Sequence, residues 1–166
     1  IVRGYLAGTF DFDVQYFDND RWFSSNMVVS LLRADTWLSQ NVCLVSYSDI
    51  IYSTKIVKAL LAVDATDLSV AYDVNWRSLW NLRFGRAEED AENFRVVNGF
   101  VEEIGKPIRD INRVNGQYMG LLRFTPQVWS KIKSFLNQLS DAEINRLDIT
   151  TLLDKLLETG LKIKGV

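Results

Sequence analysis

Val42-Cys43-Leu44-Val45-Ser46-Tyr47-Ser48-Asp49 is the stretch on which the fold turns. Its apolar run is too short for a stable helix, and Asn41 on one side and Ser48-Asp49 on the other are breakers, so it reads as a buried parallel strand. Upstream, Ser24-Ser25 offers an N-cap, and Met27, Leu31, Ala34 and Leu38 recur at helical spacing, giving an amphipathic helix that Asn41 breaks. Downstream, Ser53 or Thr54 caps a second helix through about Ala62, with Ile56, Leu60 and Val63 on one face. Leu68 to Tyr72 is a further apolar strand closed by Asp73. Strand, helix and strand in that order imply a three-layer α/β sheet with right-handed crossovers. In open α/β sheets ligands sit beyond the carboxyl ends of strands, which picks out Ser48-Asp49 and Asp73.

The pattern continues in both directions. Ile1 to Leu6 reads as a short strand, and Phe10 to Phe23 as a surface loop with a short strand, aromatic and acidic throughout. Asn75 to Arg83 reads as a helix carrying Trp76, Leu79, Trp80 and Leu82. Phe94 to Val97, Asn98-Gly99 and Phe100 to Ile104 form a hairpin signature, because Asn-Gly supplies the positive φ angles of a type I′ turn. Gln117 to Phe124 is a strand. Thr125-Pro126 opens a helix to about Leu139, Ser140-Asp141-Ala142-Glu143 is a capping box, and Thr150 to Glu158 is helical up to Gly160. Leu161 to Val166 begins another strand. Both ends look like strand interiors, so the expectation is a piece of a longer chain. Residues 1–166 read as a single domain.

Composition excludes several functions. Lys and Arg number 19 against 21 Asp and Glu, so the basic excess of a non-specific nucleic-acid binder is missing. No histidine occurs, which removes a Ser-His-Asp triad, a histidine base and histidine metal ligands. A lone Cys43 forbids an internal disulfide and, without histidine, a structural zinc site. No apolar run approaches the ~20 residues of a membrane span, and Ile1 to Tyr5 do not look like a signal peptide. A cytoplasmic location is the expectation.

The residues leave alternatives open. Asp49 stands where one carboxylate, with substrate phosphates and waters, can hold Mg²⁺, but it equally suits a helix cap or a turn. Lys106 lies just past a strand between Gly105 and Pro107, aimed at a phosphate or simply solvated. Trp76, Trp80, Tyr47, Tyr72 and Tyr118 offer an aromatic wall for a cation such as choline, or core area. Glu102 and Glu103 read as surface charges and Cys43 as core. Gly116 and Gly120 read as points of close backbone approach. Asp11-Phe12-Asp13 has the spacing of a glycosyltransferase metal motif but sits in a loop-like stretch.

Six segments in order carry a family resemblance: Ser25-Asn26-Met27-Val28 into Ser30-Leu31; Val45 to Tyr52; Asp73-Val74-Asn75-Trp76-Arg77 with Trp80 and Arg83-Phe84; Glu103-Ile104-Gly105-Lys106-Pro107; Gly116-Gln117-Tyr118-Met119-Gly120-Leu121; and Asp148 to Leu153. Together they resemble the phosphocholine cytidylyltransferase-like branch of the sugar-phosphate nucleotidyltransferase superfamily, over nearly the whole chain. The resemblance implies a Rossmann-like, glycosyltransferase-A-like mixed sheet, incomplete at both ends. The family's Gly-x-Gly-x-Arg triphosphate loop should precede Ile1, and its Trp-x-Glu-Ile/Val-Asp metal segment should follow Val166.

By this resemblance Asp49 is the metal aspartate, although Ser48 stands where the family often has Gly. Lys106, accompanied by Glu103, lies near the acceptor phosphate. Trp76, Tyr118 and Tyr47 belong to the head-group pocket. The implied reaction is transfer of a nucleotidyl group, cytidylyl first, from a nucleoside triphosphate to a small phosphorylated acceptor such as phosphocholine. Mg²⁺ is the cofactor and pyrophosphate the leaving group. Its partners are CTP and that acceptor, with neither nucleic acid nor membrane, and a homo-oligomer stays open. Two alternatives remain: a sugar-1-phosphate nucleotidyltransferase, whose pocket would present Asn, Gln and Glu, and a non-catalytic binding domain on the same fold.

Overall fold

The computed structural model describes residues 4, 8, 10–64 and 68–166. Of the expected strand at Ile1 to Leu6, all but Gly4 lies outside the described residues. In chain order the elements are α1 (Met27–Leu32), α2 (Asp35–Leu38), β1 (Cys43–Ser46), α3 (Thr54–Leu61), β2 (Leu68–Asp73), α4 (Trp76–Phe84), β3 (Asn93–Val97), β4 (Phe100–Lys106), β5 (Gln117–Phe124), α5 (Pro126–Leu136), α6 (Asp141–Arg146), α7 (Ile149–Glu158) and β6 (Ile163–Gly165).

The six strands form one mixed sheet in the order β1-β5-β2-β6-β4-β3. Side chains alternate across it, because successive Cβ atoms point to opposite faces. Leu121 and Ala71 join Leu60 of α3 on one face. Their neighbours Leu122 and Val70 join the larger core with Trp129 and Ile132 of α5 and Leu152, Leu153 and Leu156 of α7. Helices therefore cover both faces, as expected for a three-layer α/β fold. Phe124 stacks on Trp129 at 5.5 Å in this core.

β1 differs from expectation. Its neighbour β5 runs antiparallel to it, with Cys43 opposite Phe124 and Ser46 opposite Leu121. β2 is also antiparallel to β5, with Asp73 opposite Gln117. β1 and β2 therefore point the same way with β5 between them, and the parallel pairing is instead that of β2 with β6. The consequence is positional: the carboxyl ends of β1 and β2 and the amino end of β5 meet at one edge.

Local chemistry explains most boundaries. Asn98 and Gly99 take φ of 51° and 80° between β3 and β4, the turn their side chains predict. Thr125 accepts the Val128 amide at the start of α5, and the Ser140–Glu143 capping box is present. The first helix departs from expectation. Asn26, not Ser24 or Ser25, is its N-cap, and the turn at Arg33–Ala34 splits it into α1 and α2. Asn26 also donates to the Arg146 carbonyl at 3.3 Å, tying α1 to α6. Cys43 is buried, and burial pushes its thiol pKa up, so it is an inert core residue. Among the described residues no helix is long and apolar enough to cross a membrane.

Candidate active site

At the edge where β1, β2 and β5 meet lies a cavity of about 600 Å³. Asp49, from the turn after β1, and Asp73, from the end of β2, stand on its wall as the strand-end rule predicts. Asp49 is exposed, so its carboxylate meets the solvent of the cavity. Asp73 is partly committed, accepting the Asn75 amide at 2.7 Å to start α4. Asp90, Glu92 and Asp148 add three more carboxylates, against one cationic lining residue, Arg83.

The aromatic lining is Tyr47, Trp80, Phe94 and Tyr118. The Tyr47 and Tyr118 rings meet edge-on at 6.0 Å. Gly120 makes this approach possible. It takes φ of 75°, and a Cβ there would sit 2.7 Å from the Tyr47 ring. Its carbonyl accepts the Tyr47 amide at 2.9 Å. Gly116 serves the same end beside Tyr72, whose ring would lie 2.4 Å from an added Cβ. Both glycines are thus points of close backbone approach, as expected.

Burial, then the negative charges of Asp148, Glu92 and Asp49, pushes the Tyr47 pKa up to about 12. Burial and the neighbouring Tyr47 hydroxyl raise Tyr118 further. Both phenols are neutral at physiological pH. Glu92 is raised by burial, and Asp148 and Asp90 push the same way. The Thr150 hydroxyl lies 3.4 Å from the Glu92 carboxylate and 3.3 Å from that of Asp148. It has one proton to give, so the two acids are left with excess negative charge.

Three predicted site residues lie outside the cavity lining. Trp76 is buried at 2% exposure and packs edge-on against Trp80 at 6.3 Å. It is core, and Trp80, one helical turn on, takes the cavity-facing place. Glu103 accepts hydrogen bonds from Asn93 and Arg95 and pairs with Arg113 at 2.9 Å. These contacts, Asn93 first, hold its carboxyl below the usual range. It is tied to β3 and to Arg113, and it lies outside the cavity lining. Lys106 pairs with Asp154 at 3.0 Å and Glu158 at 3.4 Å, both on α7. It stands opposite Asn93, a lining residue, but does not itself line the cavity. Asp11 and Asp13, the candidate Asp-x-Asp pair, are exposed and do not line the cavity.

The sequence reasoning missed Asp90, Glu92, Arg83 and a site role for Asp148. Asp148 has a local signal, since it is the N-cap of α7 and accepts the Thr151 amide at 2.7 Å. Glu92 and Asp90 sit in an irregular segment before β3 with none. Among the described residues no group of three or more carboxylates or thiols could hold a metal ion. A single exposed lining carboxylate such as Asp49 fits the pattern in which one carboxylate shares a divalent ion with substrate phosphates.

No protein-family model matches the chain. CTP:phosphoglutamine cytidylyltransferase of Campylobacter jejuni subsp. jejuni serotype O:2 is 27% identical across 100% of this chain and 72% of its own length. Among solved structures, the inositol-1-phosphate CTP transferase from T. maritima superposes with a TM-score of 0.65 at 17% identity, over 89% of this chain. A protein assigned as a glucose-1-phosphate thymidylyltransferase from Bacillus anthracis, solved with a sucrose, gives 0.72 at 16% identity over 99%. The chain spans 53% and 61% of those two structures.

The fold is thus the mixed α/β fold of the nucleotidyltransferases. Within that class the chain is similar over its whole length to a cytidylyltransferase, in keeping with the resemblance of its six segments.

Proposed function

We propose that this protein transfers a cytidylyl group from CTP to a small phosphorylated acceptor whose other end is cationic, phosphocholine being the first candidate. The observation that carries the reading is the cavity beyond β1 and β2, with Asp49 on its wall and an acidic, aromatic lining. CTP is supported by the cytidylyltransferase among its relatives.

A phosphate oxygen of the acceptor attacks the α-phosphorus of CTP, and pyrophosphate leaves. The attacking oxygen is already ionised at neutral pH, so no histidine base is needed. Positioning and charge neutralisation do most of the work in such transfers. Mg²⁺ held by Asp49 would supply the neutralising charge against the two anionic reactants. Arg83 is the cationic side chain lining the cavity, its guanidinium held 5.6 Å over Trp80 and 5.0 Å over Phe84. Glu92, Asp148, Tyr47 and Trp80 receive the cationic head group, the carboxylates by charge and the rings by their negative faces.

Of the Asn, Gln and Glu that the sugar-phosphate alternative needs, Glu92 lines the cavity but the carboxamides there are occupied. Asn93 donates to Glu103, and Gln117 is spent on backbone. The test incubates the protein with each nucleoside triphosphate, with phosphocholine or a sugar-1-phosphate, and measures pyrophosphate. Release with CTP and phosphocholine supports the reading. Release only with the sugar phosphate transfers it to the alternative, and no release with any pair leaves a binding domain.

A further inference from the structure

Two carboxamides do something unusual beside the cavity. Gln117, only 4% exposed, accepts the Glu92 amide on Oε1 at 3.0 Å and donates from Nε2 to the Glu92 carbonyl at 2.6 Å. Nε2 also reaches the Gly116 carbonyl at 2.9 Å. Asn115 does the same to Val96, accepting its amide at 2.9 Å and donating to its carbonyl at 2.8 Å. Each side chain imitates a peptide group and pairs with a residue of the β3 segment as a neighbouring strand would. The two clamps have equal chemistry but different cargo. Val96 does not line the cavity; Glu92 does.

We infer that Gln117 is a positioning residue: by clamping the backbone of Glu92 it fixes that carboxylate beside Asp148 and Thr150, where it receives the cationic end of the acceptor. Glu92 lies outside β3, so regular strand pairing does not place it. Without the clamp its side chain would sample positions in which the paired negative charge is lost. The groups around it are Asp90 beside it, Asp148 and Thr150 at the start of α7, and Tyr47 after β1. This inference rests on the acceptor reading above.

The experiment compares Gln117→Leu with Asn115→Leu in the same protein. Both lose a peptide-like clamp, buried at Gln117 and exposed at Asn115, so both should unfold at lower temperature, Gln117→Leu by more. Only Gln117→Leu should raise the KM for phosphocholine, by about tenfold or more, with the KM for CTP unchanged, since small misplacements of a binding group are costly. Amide hydrogen exchange at Glu92 should quicken in Gln117→Leu alone, a readout independent of turnover. Equal acceptor KM in the two variants, or unchanged exchange at Glu92, overturns the inference. Absence of turnover in the unmodified protein, with the exchange difference intact, overturns the acceptor reading but keeps the clamp.

Discussion

Asp49, just past the end of a strand, and Glu103, in the middle of one, are both carboxylates, and the structure treats them in opposite ways. Asp49, in the turn after β1, is exposed on a cavity wall. Glu103, within β4, is tied to Asn93, Arg95 and Arg113. A carboxylate that has already spent its acceptor sites on the protein has little left for a ligand, whereas one facing solvent keeps them. The contrast separates a group available for chemistry from one that holds the scaffold on which chemistry is arranged.

The sharpest way to break this comparison is to remove Asp49. Asp49→Ala should lower pyrophosphate release by about 100-fold or more, as loss of a main charge-organising group does, while leaving thermal unfolding unchanged. Retained turnover would return Asp49 to the role of a loop residue.

Next in size is Gly120→Ala, which acts on the geometry around Asp49. A Cβ there meets the Tyr47 ring at 2.7 Å in a backbone conformation of φ 75°. The expected loss is about 2 kcal/mol of stability, with weaker acceptor binding because Tyr47 is displaced. Chemical denaturation together with the acceptor KM checks both.

Glu103 tests the other half of the comparison. Glu103→Gln should cost about 1–2 kcal/mol, the scale of a charged hydrogen bond, with a small effect on turnover. The folded-state pKa of Glu103 is lowered. Its contribution is therefore present above the ordinary glutamate pKa of about 4.3 and lost as pH falls below it. Glu92 has the opposite sign, because its pKa is raised. It takes up a proton at a higher pH than an ordinary glutamate, so acceptor affinity should begin to fall first, before the fold weakens. Parallel pH profiles of acceptor KM and unfolding temperature distinguish the two carboxylates.

These contrasts also show what the sequence could and could not reveal. Strand ends were legible because short apolar runs bounded by Asn, Ser and Asp leave few choices, and the rule that ligands gather there found Asp49 and Asp73 unaided. The antiparallel partner of β1 was not legible, since its continuous apolar run reads as a buried parallel strand whereas β1 is a half-buried edge strand. Trp76 and Trp80 share a helix face at a spacing of four, so nothing local says which is core. Glu103 and Lys106 stand in a recognisable segment, but their partners Asn93, Asp154 and Glu158 are 10, 48 and 52 residues away in sequence. Long-range pairing decides the role of a charge, and pattern does not carry it.

Lys106 gives the smallest and most discriminating effect. Its side chain is 53% exposed, and its ammonium is bound to two carboxylates of α7. Exposed pairs of this kind contribute little, because solvent screens them and two long side chains must be held still. Lys106→Ala should therefore leave unfolding nearly unchanged, and the informative quantity is acceptor use. If the lysine leaves α7 to meet the acceptor phosphate, the acceptor KM rises severalfold and the effect shrinks with added salt, since the attraction is screened. A KM equal to that of the unmodified protein at low salt would assign Lys106 wholly to the contact between β4 and α7, on the same side of the comparison as Glu103.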